Sequence, residues 1–185
     1  MRKFLIAAIG FSCVNVATLP LLASPFTLQS EQFENGGTLP ESLVLDGFGC
    51  TGENISPQLS WQNPPTETKS YVITVFDPDA PTGVGWWHWT VFNLPANVTS
   101  LPANITSKGK KLPDGSGQGF TDFGDVGYGG ACPPVGDKPH EYVFTVYALN
   151  VENIPADETT TGAKLAFLIK DHILAEATIV AEYQR

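Results

Sequence analysis

The sequence predicts a mainly β protein, an antiparallel β-sandwich with a few peripheral helices, one of them near the C-terminus. Three observations carry this. Runs rich in β-branched and aromatic residues recur at Ser70–Phe76, from Trp86 onward, and at Glu141–Asn150. The 18 glycines and 15 prolines are spread along the chain at turn positions, which fits many short strands rather than disorder. Helical spacing occurs once, late in the chain, so the alternation expected of a parallel α/β sheet is missing.

The elements follow in order. Arg2 and Lys3 precede a mostly apolar run over Phe4–Val16, extended by Leu19–Leu22, and Ala23 is a small residue suited to cleavage before Ser24. This layout predicts a secretory signal peptide over residues 1–23 and one domain over 24–185, exported to a periplasm or secreted. Gly10 argues against Cys13 as a lipoprotein cysteine. Asn15 and Pro20 argue against retention as a membrane anchor, because the run falls short of the roughly 20 apolar residues a span needs. Phe26–Phe33 reads as a first strand and Asn35-Gly36-Gly37 as a turn. Gly47, Gly49 and Gly52 surround Cys50, and Leu59–Trp61 is a short strand.

Ser70–Phe76 is continuous enough for a central strand. After it, Asp77-Pro78-Asp79-Ala80-Pro81 must break the ladder, since Pro78 and Pro81 lack an N–H. Alternation then places Trp86, His88, Thr90 and Phe92 on one face, with Trp87, Trp89, Val91 and Asn93 on the other. Ser107–Asp125, rich in Gly, Lys and Ser, reads as a surface excursion. Along Glu141–Asn150, His140, Tyr142, Phe144 and Val146 share a face. Thr161 is a candidate N-cap for a helix from about Thr161 to Leu174, and Ala177–Tyr183 returns as a strand.

Composition sets limits on function. Apolar residues make up 42%, enough for a core, and the formal charge is −9, falling to −11 without Arg2 and Lys3. That balance argues against nucleic acid and against loose adsorption to anionic membranes, but allows a single head group in a pocket. Export leaves Cys50 and Cys132, and even parity favours a disulfide over two separate buried thiols.

Two stretches share one grammar, a Pro-containing turn leading through a histidine into a strand: Val75–Asn93 and Gly127–Leu149. They are expected to form one pocket from Asp77, Asp79, His88 and His140, with Tyr128 and Tyr142 nearby. Each residue has an ordinary reading on its own: Asp77 as a turn former, His88 as a half-buried histidine, the tryptophans as core, Pro133-Pro134 as a rigid loop. Their joint occurrence points to a site. Imidazoles, tyrosine hydroxyls and backbone N–H groups at Gly127, Gly129 and Gly130 can hold a small anion, while Asp77 sets the histidine charge and Trp86 and Tyr142 form aromatic walls. The competing enzyme reading is a metal-dependent hydrolase using His88, His140 and Asp77, although no HxH, HxxxH or HExxH spacing and no G-x-S-x-G elbow is present.

The segments DPDAP (77–81), WWHWTVFNLP (86–95) and GYGGACPPVGDKPHEYVFTVYAL (127–149) resemble the phosphatidylethanolamine-binding protein family. The match is strongest to its bacterial and archaeal Raf-kinase-inhibitor-like branch, which FGCTGENISPQLSW (48–61) and HILAEATIVAEYQR (172–185) also resemble. The resemblance implies a β-sandwich with one pocket for phosphate-like groups, and binding, or inhibition of a partner protein such as a protease, rather than catalysis. It implies no cofactor. Carried onto this chain, the pocket positions are Asp77, Pro81, His88, Pro134, His140 and Tyr142, with Asp79 and Trp86 also matching. Many members read His-Arg-Tyr where this chain reads His140-Glu141-Tyr142. Strand alternation points Glu141 away from the pocket, so tuning of affinity is expected and not loss of the site.

Overall fold

The computed structural model describes residues 24–105 and 111–185; the expected signal peptide and Cys13 lie outside the described residues. Among the described residues eleven strands and one α-helix follow in the order β1 (Thr27–Gln29), β2 (Gly37–Thr38), β3 (Asp46–Gly47), β4 (Cys50–Thr51), β5 (Leu59–Gln62), β6 (Ser70–Asp77), β7 (Trp86–Pro95), β8 (Ser100–Leu101), β9 (Gly117–Gln118), β10 (His140–Leu149), α1 (Gly162–Ile169) and β11 (Ile173–Tyr183), with a 3-10 turn at Glu41–Leu43. The large sheet has six strands in the order β2-β11-β10-β6-β7-β9, all antiparallel neighbours except the parallel pair β2–β11. A three-stranded sheet, β1-β5-β8, and the β3–β4 ribbon complete the β structure.

The main core lies between the two larger sheets. Leu28, Leu59 and Trp61 of the small sheet pack with Ile73, Val75, Trp89, Phe144 and Ile179 of the large one. Leu165 and Ile169 of α1 cover the opposite face, against Val72, Phe92 and Leu149. Burial on both faces accounts for the nearly unbroken apolar run in β6. The expected β-sandwich with a peripheral helix near the C-terminus is therefore the observed fold.

Several boundaries differ from expectation. The first strand covers only Thr27–Gln29. The helix is capped by the Thr161 side chain, which accepts from Lys164 N, but it ends at Ile169 rather than Leu174. Ile173 and Leu174 belong to β11, paired antiparallel along nearly the whole length of β10. The ladder with β10 supplies long-range hydrogen bonds that a further helical turn would forfeit, so tertiary pairing overrides the local apolar spacing.

The simple alternation expected on the second strand also fails. Between β6 and β7 the pairing steps from Val75–Trp89 to Phe76–Trp87, leaving His88 as an extra residue, and a second irregularity separates Tyr71–Leu94 from Ile73–Val91. Each extra residue resets the period of two. Trp86, opposite Asp77, thus shares the inner face with Trp89 and Val91, whereas Phe92 turns to the helix side.

A pocket between two proline turns

Asp77, the last residue of β6, is buried. Its Oδ1 accepts the N–H groups of Asp79 at 2.8 Å and Ala80 at 3.0 Å, closing the turn that Pro78 and Pro81 impose. Its Oδ2 lies 2.8 Å from His140 Nδ1 at the start of β10, so the imidazole donates to the carboxylate from Nδ1. Asp77 is thus both turn former and histidine anchor. The Nε2 of His140 lies 3.5 Å from Asp137 Oδ2, which places the ring between two carboxylates.

His88 is held differently. Its Nδ1 is 2.8 Å from Gly129 O and 3.1 Å from Gly130 O. The Gly129 N–H donates back to His88 O at 2.8 Å. Neither glycine tolerates a side chain: a Cβ on Gly129 would meet Phe123 Cδ2 at 2.5 Å, and one on Gly130 would meet Leu43 O at 2.4 Å. The Gly130 N–H is taken by Asn54 Oδ1. These two glycines therefore position His88, and their N–H groups are spent within the protein instead of being offered to a ligand.

A cavity of about 190 Å³ opens between the two turns, lined by Asp77, Trp86, His88, His140 and Tyr142 with Pro81, Pro133 and Pro134. Phe48 and Phe123, which sequence reasoning missed, complete the wall. Phe123 arises from the polar excursion before β10 and packs on both Trp86 and His88, with ring centroids at 5.3 and 5.2 Å. Nothing in its Gly- and Asp-rich surroundings marks it as a pocket residue. A second cavity, about 1000 Å³, shares Phe123, but no histidine lines it, and Ile105 and Lys111 of its wall flank residues that the structure does not describe. The chemistry gathers in the smaller one.

Three of the lining residues carry a buried polar atom without a hydrogen-bond partner: Trp86 Nε1, His88 Nε2 and Tyr142 Oη. Unmatched buried polar groups are costly, and three around one cavity define what a ligand has to satisfy. Burial, reinforced by Asp77, raises the Tyr142 pKa far above its ordinary value, so the phenol keeps its proton and can donate. Burial also lowers the pKa of His88, against the smaller opposing effects of the glycine carbonyls, Asp77 and Asp122. Asp77 was expected to set the charge of both histidines, yet its contact is with His140 and the neutral form of His88 is favoured.

The remaining expected residues take other parts. Asp79 stands outside the lining: it pairs with Lys138 Nζ and accepts the Glu141 N–H at 3.0 Å, and the Lys138 hydrogen bond lowers its pKa. The Tyr128 hydroxyl is committed to Leu43 O at 2.9 Å. Glu141 is exposed between buried His140 and Tyr142, as alternation requires, and lies opposite Glu182. Cys50 and Cys132 form a disulfide, Cα to Cα 6.0 Å, that ties the β3–β4 ribbon to the Pro133-Pro134 wall. Arg185 reinforces the same junction by donating to Pro133 O and Gly49 O. Among the described residues no three His, Cys, Asp or Glu side chains converge as a metal-ligand set.

Comparison with known proteins agrees with this fold. The family model described as phosphatidylethanolamine-binding protein matches residues 29–184. The UPF0098 protein YbcL of Escherichia coli (strain K12) is 49% identical, over 90% of this chain and 92% of its own length. YbhB of the same organism is 49% identical, over 84% of this chain and 98% of its own. The crystal structure of E. coli YbcL, described as a new member of the mammalian PEBP family, superposes with a TM-score of 0.85 over 88% of this chain and 99% of that one. A phosphatidylethanolamine-binding protein homolog from Chlamydia trachomatis gives 0.73 at 34% identity, covering 86% of this chain and 97% of that one. With its paired proline turns, its buried histidines and this breadth of similarity, the chain belongs to the phosphatidylethanolamine-binding protein family.

Proposed function

We propose that this protein is an exported binding protein whose pocket holds a small anionic, phosphate-bearing group, a phospholipid head group foremost, without turning it over. The observation that carries this reading is the cluster of unpartnered buried polar atoms on Trp86, His88 and Tyr142 around one cavity of about 190 Å³. That volume is below the usual 300–1,000 Å³ of small-molecule pockets, so it suits a head group and leaves acyl chains outside. Export rests on the layout of residues 1–23, and the net negative charge argues against a nucleic-acid partner. No helix among the described residues is long and apolar enough to cross a membrane.

Hydrolysis has less support. Among the described residues no three His, Cys, Asp or Glu side chains converge as a metal-ligand set, and no serine or free cysteine lies in the cavity wall, where Cys132 is disulfide-bonded. Intact-mass spectrometry of protein purified gently from its native host tests the binding reading. A stoichiometric phosphate-bearing adduct, lost in His140→Ala, is expected. Stoichiometric zinc or iron lost on the same substitution would replace it with the metal-hydrolase reading. Sequencing the mature N-terminus tests export: Ser24 is expected, and a retained Met1 in a cytosolic fraction would reject it.

A further inference from the structure

We propose that the pocket selects an oxyanion that carries its own proton, such as a phosphate monoester in its singly protonated form, because His88 meets the ligand as a hydrogen-bond acceptor. This rests on the pocket being an oxyanion site, and it goes further by assigning the protonation state of the group bound. The argument begins with the two contacts at Nδ1. Gly129 O and Gly130 O, at 2.8 and 3.1 Å, can only accept, so Nδ1 carries the hydrogen. In a neutral imidazole the other nitrogen, Nε2, is then bare. That atom is buried and unpartnered on a residue lining the cavity.

Neighbouring groups do not relieve it. Tyr142 packs edge-on at 5.1 Å between ring centroids, and its Oη is itself without a partner, as is Trp86 Nε1. Asp77 on β6 is spent on His140 of β10, and Asp122, in the loop that carries Phe123, accepts the Trp87 N–H. Both carboxylates favour a proton on His88, but burial outweighs them. Among its unpartnered buried atoms the cavity therefore offers donors on Trp86 and Tyr142 and an acceptor at His88 Nε2. A singly protonated phosphate matches that set, its O–H donating to Nε2 while its other oxygens accept. A sulfate ester has the same shape and no proton to give. It would set lone pair against lone pair unless His88 took up a proton from solution.

The test compares methyl phosphate with methyl sulfate by isothermal titration calorimetry. At about pH 6, near the second pKa of a phosphate monoester, methyl phosphate should bind at least about ten-fold tighter, the effect of one unmatched buried polar group. The gap should narrow toward about pH 8, where the phosphate ester loses its own proton and can no longer donate to Nε2. In His88→Gln, whose amide can donate, the two esters should bind alike. Independently of any ligand, nitrogen NMR of histidine-labelled protein at about pH 7.5 should show His88 neutral with the hydrogen on Nδ1. An Nε2–H tautomer, or methyl sulfate binding as tightly as methyl phosphate at about pH 6 with both lost in His140→Ala, would overturn the inference and leave the pocket reading standing. Failure of both esters to bind would overturn both.

Discussion

His88 and Gly129 hold each other twice: the imidazole Nδ1 lies 2.8 Å from Gly129 O, and the Gly129 N–H donates to His88 O at 2.8 Å. This reciprocal pair joins the irregularity in β7 to the glycine-rich approach to β10, and it fixes which nitrogen of His88 is left for a ligand. Phe123 fills the only direction in which a Gly129 side chain would have to go.

Gly129→Ala should therefore weaken ligand binding and destabilise the fold together. Its Cβ would sit 2.5 Å from a Phe123 ring atom, forcing that ring away from His88 and Trp86. Overpacking of this kind costs about 1–3 kcal/mol. Urea unfolding of Gly129→Ala, and of Gly129→Ala with Phe123→Leu, measures it. Recovery in the double variant is the expected result, and an unperturbed single variant would contradict the close approach.

Asp77→Ala should cost about 3–5 kcal/mol of stability, the usual effect of removing one partner of a buried ionisable pair. It strands His140 Nδ1 and the Asp79 and Ala80 N–H groups at once. Asp77→Asn keeps an acceptor for the turn but presents its amide or its carbonyl, not a carboxylate, to His140, so it should be milder in unfolding and still impaired in binding. Equal stability of wild type and Asp77→Ala would refute the anchoring role.

Acid should destabilise the ligand-free protein partly through His88. Its folded pKa is depressed by burial, so between that value and the unfolded value of about 6.5 the unfolded chain binds more protons. Stability is then fully present above the unfolded pKa and is lost as pH falls, with a slope of at most about 1.4 kcal/mol per pH unit from this group. Denaturant unfolding from about pH 8 to 5 should fall more steeply for wild type than for His88→Gln. Parallel curves would show that His88 is not held neutral.

Reducing or deleting the Cys50–Cys132 bridge should cost about 2–5 kcal/mol. The two cysteines are 82 residues apart in sequence, so the bridge closes a long loop, and Cys132 is part of the cavity wall. Thermal unfolding of Cys50→Ser with Cys132→Ser, alongside calorimetry with methyl phosphate, should show both stability and affinity reduced. Binding at wild-type affinity would mean that Arg185 alone suffices to hold the Pro133 wall.

Glu141→Arg should stabilise the protein by about 0.2–1 kcal/mol, because Glu141 faces Glu182 across β10 and β11 and like charges directly opposite repel. Its side chain is exposed while His140 and Tyr142 are buried, so affinity should change much less than stability. A large loss of affinity would place this position in the ligand contact instead.

Much of this molecule follows from local sequence. β-Branched and aromatic runs specify β6, β7 and β10 because their side chains suit a pleated, half-buried surface. Prolines end β6 at Asp77 because they cannot donate to a ladder, and cysteine parity anticipates the disulfide. Asp77, Pro81, Trp86, His88, Pro134, His140 and Tyr142 were all legible as pocket residues, since each lies where a proline turn meets a strand or in the turn itself. Tertiary structure decided the rest. Register is a relation between two strands, so the extra residue at His88, which puts Trp86 on the face of Trp89 and Val91 instead of that of Phe92, is invisible in β7 alone. The roles of Gly129 and Phe123 are likewise set by their close approach across the fold. Which carbonyls the His88 ring meets, and hence whether the pocket offers a proton or accepts one, depends on contacts between residues 41 and 42 positions apart, which no local pattern encodes.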